Sequence, residues 1–236
     1  MEFNIKKCNV LSVTLKTKNK LKYSYTMNGQ KVAGINNAKY LGVTFTTKLK
    51  WGTHISSISG AANRMLGFLW RNLKQCPKSL KEKAYKAYVR PKVEYSCCVW
   101  DPYQQKYISK LEMVQHRAAR FVNNAPHRYT DCEDQASVTE MVEQLGWRPL
   151  VERRRNNRLV MIYRIYNNQV EVPASYHPTL RDFQPARGNQ RNFTPLTPTV
   201  DAYKFAFLCR TIVDWNQLDQ AIVEAESLDQ FKSHLY

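Results

Sequence analysis

A chain of 236 residues that is 43% apolar, with only eight glycines and ten prolines, can bury a core, which excludes a wholly disordered or low-complexity protein. Its 36 lysines and arginines outweigh 19 acidic residues for a net charge of +17, and a basic excess of that size predicts a polyanionic partner, because cation–phosphate pairing releases condensed counterions. The six cysteines show no CxxC or Cys/His zinc spacing, no apolar run approaches the roughly 20 residues of a membrane span, and the N-terminus has no signal-peptide pattern; the expectation is a soluble intracellular protein, nuclear or cytoplasmic, with reduced thiols and no membrane partner.

The first 47 residues read as β structure. Val10 to Leu15 and Leu21 to Met27 alternate apolar and polar residues. Asn28-Gly29 then supplies a hairpin signal, because both central positions of a type I′ turn need positive φ. Lys31 to Ile35 is the expected return strand. Lys39 to Phe45 predicts a further strand, and Gly42 inside it suggests a bulge or the close approach of another backbone.

After Trp51 the period becomes helical. Ile55, Ile58, Ala62, Met65, Leu66 and Leu69 recur at spacings of three and four and predict a helix ending near Leu73. Ser79-x-x-Glu82 predicts a capping box for the next helix, and Pro91 a kink or restart at Arg90. That segment runs to Trp100, with Cys97 and Cys98 packed in it, and Asp101-Pro102 ends it. A third helix over 104–123 carries an apolar side from Ile108 to Val122. Beside it Lys106, Lys110, Arg117 and Arg120 fall within about 80° of one another.

The polar stretch 123–135 is the best internal boundary. Ser137-x-x-Glu140 opens a short helix stopped by Gly146. Pro149 introduces a long one to about Asn168, bearing Arg153, Arg154, Arg155 and Arg158. Five prolines between 172 and 198 predict an extended loop. Lys204 to Val213 reads as a buried strand or a short helix, and Ser227-x-x-Gln230 caps a last amphipathic turn.

Thirteen short strings stand in one order along the chain. They are KC-x-V-L (Lys7 to Leu11), NG (Asn28-Gly29), KYLGV (Lys39 to Val43), LKW-x-x-HI (Leu49 to Ile55) and ANR-x-LGFL (Ala62 to Leu69). YVRPKVEY (Tyr88 to Tyr95), VWDP (Val99 to Pro102), LE-x-VQ-x-RAARF (Leu111 to Phe121), LGW (Leu145 to Trp147) and ERR (Glu152 to Arg154) follow, then RTI from Arg210, WNQL from Trp215 and SLD-x-FK from Ser227. The series resembles the C-terminal part of reverse transcriptases from non-long-terminal-repeat retrotransposons of the jockey/CR1 type, over nearly the whole chain.

The resemblance implies roles. Tyr40, Leu41, Gly42 and Val43 match the primer grip, a hairpin that holds the 3′ end of the growing strand. The helices from Trp51 onward match the thumb, which rides on the template–primer duplex, and the paired aspartates of the metal site belong before the KC-x-V-L strand. The partners implied are RNA, DNA or an RNA–DNA hybrid, with no small-molecule substrate for this chain alone. Mg2+ is implied for the full-length polymerase, and this chain is expected to bind no cofactor.

The residues agree with those roles while leaving blander readings open. Gly60, Arg64, Gly67 and Arg71 share one helical face, where two glycines suggest a close neighbour, either a nucleic acid or another helix. Lys106, Lys110, Arg117 and Arg120, with Lys50, suit phosphate contact or a solvated face. Arg153, Arg154, Arg155 and Arg158 form the densest cluster and are expected to touch RNA or DNA. Trp51, Trp70, Trp100, Trp147 and Trp215 could stack on bases, although core positions are their usual fate.

One departure from the family decides the activity expected. Polymerisation needs paired carboxylates holding two metal ions, and the only adjacent acidic residues are Glu133-Asp134, in the C-terminal half. The chain is therefore expected to be inactive as a polymerase, with Met1 an internal methionine of a longer reading frame. The alternatives are a stand-alone basic RNA- or DNA-binding protein derived from the element, or an inert pseudogene product. The fold expected is α+β, with residual palm strands and a short antiparallel β-hairpin element over 1–47, a mainly helical thumb-like bundle over 48–124 and a mostly helical C-terminal region over 125–236.

Overall fold

The computed structural model describes residues 4–16, 18, 23–125, 135–183 and 189–236. Cys132, His127 and the Glu133-Asp134 pair lie outside them, as do the beginning of the expected strand at Leu21 and the Ser137 side chain of one expected cap. The architecture is α+β, with short strands first and helices after. It forms two compact units, Met1–Gly60 and Ala61–Tyr236.

In the first unit turn chemistry prevails over strand length. Asn28 and Gly29 both take positive φ (47° and 75°), and they join β2 (Thr26–Met27) to β3 (Gln30–Lys31) as an antiparallel hairpin. β1 (Asn9–Val10) pairs in parallel with β4 (Ala33–Gly34). The expected strand from Val10 to Leu15 stops after Val10, because no partner strand covers its apolar residues: Val13 and Leu15 stay exposed. The largest correction falls on Lys39 to Phe45. This is no continuous strand but a hairpin of β5 (Asn37–Tyr40) and β6 (Val43–Thr46), with Gly42 at its turn.

The helix α1 (Gly52–Asn72) follows, with Ile55, Ala62, Leu66 and Leu69 of the expected stripe buried. In the second unit, α2 (Lys78–Ala84) starts without the expected capping box. Its cap is Pro77, which leaves Ser79 inside the first turn, where its hydroxyl cannot cap. Glu82 instead meets Lys86 at 2.5 Å and accepts from Trp147 Nε1 at 3.0 Å. A π-helical turn (Tyr85–Val89) then precedes α3 (Arg90–Glu94), which carries Pro91 in its first turn. Proline cannot supply the amide that a continuous α-helix would need there, and the wide turn accommodates the loss.

Ser96 takes a left-handed conformation (φ 51°) before α4 (Cys97–Trp100). Helix α5 (Gln105–Val122) packs against both α6 (Gln135–Gln144) and α7 (Leu150–Tyr166), so residues on either side of the expected boundary at 124 share one unit. Glu112 of α5 fixes that packing. Its carboxylate accepts from the backbone amides of Leu150 and Val151 at 3.0 and 2.8 Å, serving two donors that the first turn of α7 cannot satisfy internally.

The C-terminal segment contributes the short α8 (Asp201–Lys204), α9 (Phe207–Trp215), α10 (Gln220–Val223) and α11 (Leu228–Leu235). Ser227 caps α11 through Gln230, as its spacing predicts. The core here joins Leu159, Ile162, Ile212, Trp215 and Phe231. The proline-rich loop is anchored in it by Phe193, which is fully buried, and by Asn189, whose Nδ2 donates to the carbonyls of Trp215 and Leu218.

Buried charge ties α4, α7 and α9 together. Asp101 receives Arg154 Nε at 2.8 Å, Arg158 Nε at 3.0 Å and Arg210 Nη1 at 3.1 Å. Arg158 also reaches Asp214 at 2.9 Å. Removing one partner from a buried ion network leaves the others uncompensated, which typically costs about 3–5 kcal/mol. Asp101→Asn should therefore lower stability by about that amount in urea unfolding, far more than the exposed substitution Lys106→Ala.

Candidate nucleic-acid interface

The structure divides the basic residues into those held by carboxylates and those turned outward. Helix α7 holds the first kind. Arg154 and Arg158 are buried, and both lie on Asp101. Arg153 makes a bidentate pair with Glu94, and Arg155 meets Asp214 at 3.3 Å. Of the four arginines expected to touch RNA or DNA, Arg154 and Arg158 are thus buried, and Arg153 and Arg155 are half-buried and matched to carboxylates. Their spacing of four puts Arg154 and Arg158 on the inner face of α7, and acids distant in sequence come to meet them. The one available signal was the isolated acid in each of two apolar strings, Val99-Trp100-Asp101-Pro102 and Val213-Asp214-Trp215.

Helix α5 holds the second kind. Lys106, Lys110, Met113, Arg117 and Arg120 form one row along about 21 Å of helix. Lys106 and Lys110 are exposed, and Arg117 and Arg120 are half-buried. The only acid on this helix, Glu112, is turned inward onto the start of α7. Burial outweighs those two amides and raises its carboxyl pKa above the usual range. Nothing acidic on the helix therefore interrupts the outward row.

Helix α1 contains no acidic residue, and Arg64 and Arg71 are exposed on it. A Cβ built at Gly67 would meet only the mobile end of Arg71, at 3.7 Å. Among the described residues no packed neighbour accounts for a glycine there. Among the described residues no ion pair joins Arg64, Arg71, Lys106, Arg117 or Arg120 to a carboxylate.

In the first unit Tyr40, Leu41, Gly42 and Val43 form the end of the β5–β6 hairpin. Tyr40 pairs with Val43, and both Leu41 (φ 44°) and Gly42 (φ 83°) take the positive φ of a two-residue turn. Val43 is buried, whereas Tyr40 and Leu41 are 66% and 72% exposed. A leucine in the left-handed region costs roughly 1–2 kcal/mol, and asparagine would adopt it more easily. The chain thus keeps an exposed apolar tip at the expense of stability, a pattern common where a loop makes contacts.

The hairpin is fixed from below by His54, whose buried ring accepts the Thr44 amide through Nδ1 at 3.3 Å. Burial, assisted by nearby Lys39, lowers its pKa and keeps the ring neutral. Lys50, also exposed, follows the hairpin in the loop before α1.

The tryptophans are mostly interior. Trp100, Trp147 and Trp215 are buried, and Trp51 and Trp70 half-buried. Besides Tyr40, the exposed aromatic side chains include Phe68, Tyr88, Tyr95 and Tyr103, to which the sequence reading gave no stacking role. Among the described residues no group of three His, Cys, Asp or Glu side chains could hold a metal ion. No described helix is long and apolar enough to cross a membrane.

Two measurements check the hairpin. Leu41→Asn should raise stability in urea unfolding by on the order of 1 kcal/mol by relieving the left-handed leucine. Because folding holds the His54 pKa down, its contribution to stability is full above about pH 6.5 and is lost as acid protonates the ring. The Thr44 amide resonance should accordingly titrate below about pH 6.5, and His54→Asn should abolish the titration.

Comparison with protein-family models, curated proteins and solved structures finds no match to this chain.

Proposed function

We propose that this chain is the primer-grip, thumb and following region of a non-long-terminal-repeat retrotransposon reverse transcriptase, and that it holds a template–primer duplex without performing the chemistry. The observation that carries this reading is the division of charge. The guanidiniums of α7 are matched to carboxylates, while Arg64 and Arg71 on α1 and Lys106, Arg117 and Arg120 on α5 pair with no carboxylate among the described residues. Cations left at the surface in rows suit phosphates, which position a duplex without reading its sequence. The exposed Tyr40–Leu41 tip suits the end of a strand lying against a hairpin. The ordered strings from KC-x-V-L to SLD-x-FK support the family reading, and the sequence contains no Asp-Asp pair, which favours a binding role.

The purified chain should bind an RNA–DNA hybrid in fluorescence anisotropy, with an affinity that falls steeply with salt. A slope of about −0.9 per phosphate contact is expected, so Arg64→Ala with Arg71→Ala should flatten the log–log plot by about two contacts. Arg155→Ala, which removes an arginine already matched to Asp214, should leave the slope unchanged. No binding at about 50 mM salt would remove the reading. A paired-aspartate palm encoded in frame on the 5′ side of Met1 would distinguish a polymerase from a stand-alone binder.

A further inference from the structure

Between the buried stripe of α1 and its arginine face lies an apolar strip that nothing in the described chain covers. Met65 and Phe68 on α1 and Leu73 just after it face Leu80, Ala87 and Tyr88 on α2 and its π turn, and together they line a groove of about 600 Å³. Each wall spans nine residues, about 12 Å of helix. Phe68, Leu80 and Tyr88 remain 53%, 44% and 59% exposed, and the small side chain of Ala87 leaves the floor open between them. Apolar surface held open in this way marks an interaction site.

The charge around the groove has one sign. No acidic residue occurs from Ala61 to Lys81. The first one, Glu82, is matched to Lys86 and Trp147. Arg64 and Arg71 stand exposed on the α1 side, and Lys83 stands on the α2 wall. Lys81 is not part of this rim, since its ammonium is buried against the Lys74 carbonyl and Asn124.

The occupant must therefore be apolar along its middle and anionic along its edges. The walls are mostly aliphatic and set at helical spacing on two neighbouring helices, a surface that receives the ridge of a third helix. Bases prefer continuous aromatic faces, which these walls do not offer. A second copy of this groove would bring cations against cations.

We infer that the groove docks an acidic amphipathic helix of another polypeptide. Its apolar residues at i, i+3 or i+4, and i+7 enter between Phe68 and Tyr88, and its carboxylates meet Arg64, Arg71 and Lys83. The inference does not depend on the duplex reading. If both hold, helix and hybrid compete for Arg64 and Arg71.

The test uses the whole chain and a fluorescein-labelled synthetic peptide of about four helical turns, with leucines at those spacings and glutamates flanking them. Saturable binding is expected, at least about tenfold weaker when lysines replace the glutamates. Phe68→Ser and Ala87→Glu, both at exposed positions, should each weaken binding at least about tenfold with an unchanged circular dichroism spectrum. The inference is overturned if the glutamate peptide does not bind, if both peptides bind alike, or if neither substitution matters. A dimer in sedimentation that Phe68→Ser dissolves would make a second copy the occupant. Photo-crosslinking of a single-stranded oligonucleotide to Tyr88, with no peptide binding, would assign the groove to nucleic acid.

Discussion

The second unit depends on one carboxylate. Asp101 ends α4, and its two oxygens receive guanidiniums from α7 and α9. Isolated cations of that kind could not be buried. With Asp101 in place, α7 turns Arg154 and Arg158 inward and sets Leu159 and Ile162 into the core that holds Trp215 and Phe231. The start of α7 is fixed independently by Glu112, so the first half of the helix is held by charged contacts and its second half by apolar packing. Arg154 Nη1 and Nη2 have no acceptor among the described residues.

This arrangement gives the net charge of +17 a structure. Three acids, Glu94, Asp101 and Asp214, absorb the densest arginine cluster, whereas the arginines of α1 stay exposed. The charge available for a partner is smaller than composition suggests, and it is arranged in rows rather than in a single patch. Arg64 and Arg71 share their helix with Gly67 and with the α1 residues that line the apolar groove, and both are exposed.

Local signals were legible in the sequence and distant pairings were not. The Asn28-Gly29 turn, the helix from Gly52, the restart at Pro91 and the Ser227 cap each follow from a few neighbouring residues. The Lys39–Phe45 reading failed because propensity for a strand was read across Leu41, and nothing in a leucine announces a left-handed turn. The Ser79 box failed because Pro77 had already begun the helix. The arginines of α7 were misplaced for a different reason: their partners stand 53 and 56 positions away in sequence, and spacing along one helix says nothing about what faces it.

The π turn has a consequence for how this chain can vary. Lys81, Tyr85, Val89 and Val93 are all buried at a spacing of four. In an uninterrupted α-helix that spacing drifts by about 40° at each step, or about 120° from first to last. The wider turn takes up the drift and keeps all four facing inward. Deleting one residue within Tyr85–Val89 would restore regular α geometry, and the eleven steps then left from Lys81 to Val93 advance about 1100°, three turns plus about 20°, so Val93 would still face the core. The stretch can therefore lose that one residue, and can change side chains at exposed positions such as Lys86 and Ala87, without turning its buried face outward. The wide turn is the place where this helical run tolerates a change of one in its length.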